Sequence, residues 1–151
     1  MGRTSTSRWE IAAVRRFNRF YTREVGLLRK TFLDTPWTLG EMRVLYEIRH
    51  ESGLTATEIA RRLDLDTAYL SRLLSRLEKQ KLVSRQPSAE DGRRYQLELT
   101  ARGLATFNLV DARQAMQTET TLQRLTAAQR NQLIEAMVAI ETLLDRKPES
   151  S

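Results

Sequence analysis

Apolar residues near the start of the chain recur at spacings of three and four. Ile11, Val14, Phe17, Tyr21, Val25 and Leu28 form one stripe, which predicts a helix over 8–33. Pro36 closes the segment because a residue before proline avoids the helical region. Gly26 falls inside this stripe at a cost of about 1 kcal/mol relative to alanine. Three later helix starts carry capping boxes: Thr38 with Glu41, Thr55 with Glu58, and Thr126 with Gln129. The first opens a helix through His50 with Met42, Val44, Leu45 and Ile48 inward, and Gly53 marks the following turn. The second opens a short helix with Ile59, Ala60 and Leu63 on one face. Asp64-Leu65-Asp66 breaks it, and Asp66 can cap a further helix from Thr67 to about Gln80. That helix buries Leu70, Leu73, Leu74 and Leu77 at i, i+3, i+4 and i+7, and turns small or basic residues outward.

The period then changes to two. Leu82–Gln86 and Tyr95–Leu99 read as short strands, and 87–94 between them as a projecting hairpin loop. Thr100 caps a long helix with Leu104, Phe107, Val110 and Met116 inward. A last helix presents Leu133, Met137, Ile140 and Leu144 as a heptad-like seam, and 147–151 form a polar tail. The fold class expected is mainly α with a small β element. It is a winged helix-turn-helix lobe over 38–100, flanked by long helices over 8–33 and 101–146, within one domain spanning 1–151.

Composition narrows the chemistry. A chain of 151 residues buries a core without metals or disulfides. It carries 25 basic against 19 acidic residues, a formal charge of +6. Arginine far outnumbers lysine, and its planar fork suits phosphates and base edges. Zero cysteines exclude disulfides, thiolate nucleophiles and thiol redox switches. The lone His50, at a helix end, offers no multi-histidine metal site and reads as a surface or capping residue. The six glycines never cluster into a phosphate loop, and no Ser-His-Asp order surrounds His50, so no enzyme, cofactor or metal is expected. Nothing approaches the ~20 apolar residues of a membrane span, and the first residues lack a signal-like apolar stretch, so a soluble cytoplasmic protein is expected.

A helix held by a leucine stripe, followed by a basic hairpin, suits double-stranded DNA. Thr67, Ala68, Tyr69, Ser71, Arg72, Ser75 and Lys79 are the expected groove-facing residues of the reading helix, with Arg72 able to grip guanine bidentately. Arg85, Asp91, Arg93 and Arg94 are the expected wing residues, the last two reaching toward the minor groove. Arg76 lies beside the leucine stripe and suits a structural ion pair better than a base contact. The bland alternative is a solvated amphipathic helix and an ordinary loop; the ordered combination of caps, stripe and period change favours DNA.

The runs Leu65–Lys79, Leu82-Val83-Ser84-Arg85, Asp91-Gly92-Arg93-Arg94 and Leu99–Gly103 resemble the MarR family of transcriptional regulators over nearly the whole chain. The stretch Val14–Arg23 is similar to the regulator half of fusions to a GNAT acetyltransferase, and no acetyltransferase portion follows Ser151. A free-standing regulator and a fragment of a fusion both remain open. The resemblance implies a ligand-responsive repressor, a homodimer built from the first and last helices, whose two wings and two reading helices address a pseudo-palindromic operator. It further implies that Arg93 is the wing arginine and that Asp91 pairs with Arg76. Small aromatic effectors release many members from DNA. Trp9, Phe20, Tyr21, Trp37, Arg43 and Tyr46 could line such a pocket here, or they could simply be core. A dimeric adaptor that never touches DNA is the competing class. It predicts a neutral or acidic lobe, whereas 55–94 holds nine basic and six acidic residues.

Overall fold

The computed structural model describes residues 5–26 and 32–145. Helix α1 (Arg8–Glu24) is followed by α2 (Leu39–His50), α3 (Ala56–Leu63) and α4 (Thr67–Lys79). Strands β1 (Val83–Pro87) and β2 (Tyr95–Leu99) come next, then α5 (Ala101–Gln123) and α6 (Ala127–Leu144). The chain divides into two units, with the boundary inside α5 after Val110. This is the winged helix-turn-helix class that the sequence pattern predicts. No described helix is long and apolar enough to cross a membrane.

Each helix of the first unit begins with a self-contained cap. Thr38 Oγ1 accepts from the Glu41 amide at 3.2 Å while Glu41 Oε2 accepts from the Thr38 amide at 2.9 Å. Thr55 and Glu58 repeat the arrangement at 3.3 and 2.8 Å. Asp66 Oδ2 accepts from the Tyr69 amide at 3.0 Å and starts α4. Such caps satisfy amides that a helix start otherwise leaves unpaired. A fourth box, Ser7 with Glu10, opens α1 and is an addition to the three expected.

The core of the first unit is built by α2, α3, α4 and the hairpin. Val44, Leu45, Ile59, Leu74, Leu77 and Leu82 are fully buried, with Leu70, Leu73 and Leu97 nearly so. Burying one such side chain contributes roughly 1.5–3 kcal/mol. The hairpin is antiparallel with Val83 opposite Leu99 and Pro87 opposite Tyr95. Its inner strand is tied to the α2–α3 connection, because the Leu97 amide donates to the Leu54 carbonyl at 2.8 Å. Gly53 turns that connection at φ 79°, a region glycine enters without steric cost. Asp64 ends α3 in the left-handed region at φ 50°.

Three expectations need correction. The first helix stops at Glu24 instead of running to 33, and Gly26 lies beyond it at φ 73°. Gly26 is therefore a turn residue and carries no mid-helix penalty. Leu28 lies outside the described residues, as do 1–4, 27–31 and the tail from 146 onward. Leu104 and Met116 are exposed, and α5 instead buries Gly103, Thr106, Phe107 and Val110. Periodicity gave α5 an apolar face, but Met116 lies past Val110, where the core of the first unit ends.

In the second unit, Thr126 and Gln129 cap α6. Arg130 Nε donates to the Leu122 carbonyl at 2.8 Å across the turn. A cavity of about 750 Å³ lies between Asp111, Gln114, Thr118 and Glu119 on one side and Arg130 on the other. Helix α6 buries no residue within the chain, and neither does α1.

Candidate nucleic-acid interface

Helix α4 has two unlike sides. Leu70, Leu73, Leu74 and Leu77 fix one to the core. Thr67, Ala68, Tyr69, Ser71, Arg72, Ser75 and Lys79 are all exposed on the remainder. Thr67, Ala68, Ser71 and Ser75 are short, so between the longer Tyr69, Arg72, Arg76 and Lys79 the outer surface offers little steric bar to a groove. Arg72 lies over the Tyr69 ring, its guanidinium carbon 5.9 Å from the ring centre. That contact holds the arginine alongside the helix without neutralising it.

The last turns of α4 are tethered to the start of α2. Arg76 Nη2 stands 2.9 Å from Glu41 Oε1, and Glu41 is buried while Arg76 is half-exposed. Oε1 receives no directed hydrogen bond, so this is a short-range attraction of charges. One turn further on, Trp37 Nε1 donates to Gln80 Oε1 at 2.8 Å. The implied Arg76–Asp91 pair is therefore replaced by Arg76–Glu41. Asp91 is held locally, with Oδ1 accepting from the Arg93 amide at 3.0 Å. A short carboxylate that closes its own turn is occupied at the loop tip, whereas Glu41 sits directly against α4.

The wing loop is shaped by its backbone. The Ser88 amide donates to the Arg94 carbonyl at 2.8 Å, and the Arg94 amide to the Asp91 carbonyl at 3.0 Å. Arg93 and Arg94 are exposed at this tip. Arg85, on β1, differs: its Nε donates to Glu78 Oε1 of α4. Its charge is partly committed to joining strand and helix, which leaves Lys79 the freer cation at that end. Between α3, α4 and β1 lies a small cavity of about 130 Å³, lined by Thr57, Thr67, Ser71 and Arg85 among others.

Two carboxylates at helix starts are held below the ordinary glutamate range. For Glu58 the main cause is the Thr55 amide that donates to it, and for Glu10 the Ser7 hydroxyl and then the Ser7 amide. Arg62 is pushed up by its hydrogen bond to Glu51, 2.5 Å away, which with Glu47 ties α3 to the end of α2.

The six residues expected around an effector are not gathered at either cavity. Trp9, Phe20 and Tyr21 are exposed on α1, at 72%, 49% and 40%, so they are not core within one chain either. Trp37 packs against the core beside α4. Arg43 and Tyr46 do meet: the guanidinium carbon lies 5.0 Å from the ring centre, and Arg43 also pairs with Glu47 at 3.1 Å. Tyr46 stacks on His50 at 4.0 Å, and Phe107 abuts both rings. His50 closes α2, its Nδ1 2.9 Å from the Tyr46 carbonyl oxygen. Among the described residues no cluster of His, Asp and Glu could hold a metal ion.

Comparison with known proteins bears directly on this lobe. A model of the MarR family matches residues 34–94, from the segment before α2 to the wing tip. A protein of Thauera aromatica named for transcriptional regulation of the hcr operon is 30% identical over 127 residues, covering 84% of this chain and 70% of that protein. Among solved structures, Bordetella bronchiseptica BpsR, described for regulation of its DNA binding by 6-hydroxynicotinic acid, is similar at a TM-score of 0.68. It shares 21% identity, over 86% of this chain and 98% of BpsR. The PcaV transcriptional regulator from Streptomyces coelicolor is similar at a TM-score of 0.66 and 23% identity, over 93% of this chain and 98% of PcaV. At those identities the structures establish the fold, and the Thauera relative carries the lineage. With α2, α4 and the β1–β2 hairpin following one another in this order, the chain belongs to the MarR family of transcriptional regulators.

Proposed function

We propose that this regulator is a homodimeric, ligand-responsive repressor that reads a pseudo-palindromic site in double-stranded DNA through α4 and the wing. The observation that carries this reading is the two-sidedness of α4: four leucines buried on one side, and an exposed outer surface where small residues alternate with Tyr69, Arg72, Arg76 and Lys79. Thr67, Ala68, Tyr69, Ser71, Arg72 and Ser75 address the major groove, and Lys79 and Arg85 the phosphates. Arg93 and Arg94 enter the neighbouring minor groove, with Asp91 shaping the loop that presents them.

Dimerisation through the helices within 8–33 and 101–146 accounts for apolar surface that the single chain leaves open. Val14 and Phe17 on α1, and Ile134, Met137 and Ile140 on α6, are all exposed. Two copies related by a two-fold axis present two reading helices, which matches a site with two half-sites. For the effector, Tyr46, His50 and Phe107 form an aromatic cluster beside the Arg43 cation, a combination suited to an aromatic carboxylate. The regulation of BpsR by 6-hydroxynicotinic acid supports the same ligand class. Catalysis has no part in this reading.

Selection of bound sequences from a random duplex pool tests it. An enriched inverted repeat is expected, together with a dimer by sedimentation and weaker binding when aromatic carboxylates are added. A salt-independent interaction with no enriched sequence would instead identify an adaptor.

A further inference from the structure

We infer that α1 carries a second, sequence-independent contact for double-stranded DNA: a stripe of arginines that grips the phosphate backbone outside the segment read by α4. This rests on the DNA-binding reading above and extends it to a helix to which that reading gives only a dimerisation role.

At about 100° per residue, Arg8, Arg15, Arg16, Arg19 and Arg23 fall within a single arc of about 100° on α1. All five are exposed, and none forms an ion pair among the described residues. No acidic residue shares the arc. From Arg8 to Arg23 the stripe extends about 22 Å along the axis, at about 1.5 Å per residue. A duplex strand offers a phosphate every ~3.4 Å of its axis, so the stripe runs beside roughly six of them. Five unpaired cations on one helix face repel one another, a cost that a polyanion removes and a solvated surface does not require.

The chemistry of the other side decides between polyanions. Glu10, Phe17 and Glu24 lie in line at i, i+7 and i+14, opposite the arginines, with Val14 and Tyr21 alongside. A helix lying in a membrane interface sinks its apolar side into the acyl boundary, and here that side would take two carboxylates with it. Glu10 is moreover committed as the cap of the helix, accepting from the Ser7 amide at 2.6 Å. The arrangement thus disfavours a lipid surface and leaves the arginine side outward while the apolar side meets a second copy. Guanidinium forks on a rigid helix match phosphate oxygens in pairs.

The test compares Arg15→Gln/Arg19→Gln with a charge-matched control, Arg113→Gln/Arg124→Gln, both in the full chain. Glutamine keeps helix propensity, and circular dichroism checks that helicity is unchanged. Affinity for a random-sequence duplex is measured by fluorescence anisotropy over a range of salt. The α1 variant is expected to lower the logarithmic salt slope by about 1.8 per protomer, or about 3.6 for the dimer, at ~0.9 per phosphate contact, while the control leaves it unchanged. Arg15→Lys/Arg19→Lys is expected to restore most of the slope. Equal slopes for the α1 variant and the control overturn the inference. So does an α1 variant that loses co-sedimentation with phosphatidylglycerol vesicles while its DNA slope stays intact. A fall in slope for the α1 variant, alongside an Arg72→Ala variant that keeps full sequence preference, supports the stripe and faults the α4 reading instead.

Discussion

The carbonyl oxygen of Leu82 occupies the place where a side chain on Gly103 would begin. A Cβ at position 103 would lie 1.9 Å from that oxygen and 2.9 Å from its carbon. Two further contacts pin the same junction: the Thr100 amide donates to the Leu82 carbonyl at 3.0 Å, and the Thr100 hydroxyl donates to the Lys81 carbonyl at 2.5 Å. Helix α5 can start where it does only because its third residue has no side chain.

Gly103→Ala therefore sets two effects against each other. Helix propensity alone favours alanine by about 1 kcal/mol. Overpacking against backbone that cannot swing aside costs typically 1–3 kcal/mol, occasionally more. The clash is the larger effect, so the variant is expected to unfold at lower temperature, by roughly 2–4 °C per kcal/mol. A raised melting temperature in calorimetry would contradict the close approach.

Arg76→Ala leaves the buried Glu41 carboxylate without its cation. Arg76 is half-exposed, so the full penalty for breaking a buried pair is discounted to about 1–3 kcal/mol. Asp91→Ala touches no partner of α4 and is expected to leave urea stability unchanged. A comparable loss in both variants would restore the wing–helix pair that the geometry replaces.

Acid should weaken the helix starts capped by Glu10 and Glu58. The Glu58 and Glu10 carboxylates titrate below the ordinary glutamate range in the folded chain. Their contribution is thus fully present above that range and is lost as pH falls through it toward the lowered folded values. Urea midpoints followed from neutral to about pH 3 should decline, and the decline should shrink in Glu58→Gln. An identical pH profile for Glu58→Gln and the parent would remove Glu58 from the account.

Reading helix and wing should fail differently. Arg72→Ala is expected to cost ~1–3 kcal/mol in affinity and to relax preference at one base pair per half-site. Arg93→Ala is expected chiefly to erase a preference for A·T-rich flanks. Lys79→Ala should flatten the salt slope by about 1 per protomer, or about 2 for the dimer. Arg85→Ala should flatten it less, because Glu78 already holds part of that charge. Binding-site selection and salt titration on the same four variants check these outcomes together.

Local rules made much of this molecule legible. The leucines of α4, the caps at Thr38, Thr55, Asp66 and Thr126, and the hairpin strands all lie within a few residues of the features that specify them. The Ser7–Glu10 box was equally readable, with its serine three residues before its glutamate at the start of the apolar stripe. What escaped is what depends on distant partners. Arg76 and Glu41 are far apart in the chain, and either could have met several opposite charges. Gly103 looks like an ordinary helix defect until Leu82 is placed beside it. The apolar rhythm through Val25 and Leu28 continues past the point where Gly26 turns the chain, so periodicity overran the end of α1. The effector residues were scattered because aromatic composition says nothing about which rings converge.

Glu41 closes the start of α2 with one oxygen and steadies α4 with the other. For mutation and selection this makes Thr38, Glu41 and Arg76 a single epistatic unit. A change at Glu41 cannot be compensated at Thr38 alone or at Arg76 alone, since each answers only one of its two obligations. Double-mutant coupling should therefore link Thr38 to Arg76, residues that share no contact of their own. Divergence of the reading helix in such a lineage would be constrained by a position outside it, and Ser71 or Arg72 could drift toward new sequences while Arg76 could not.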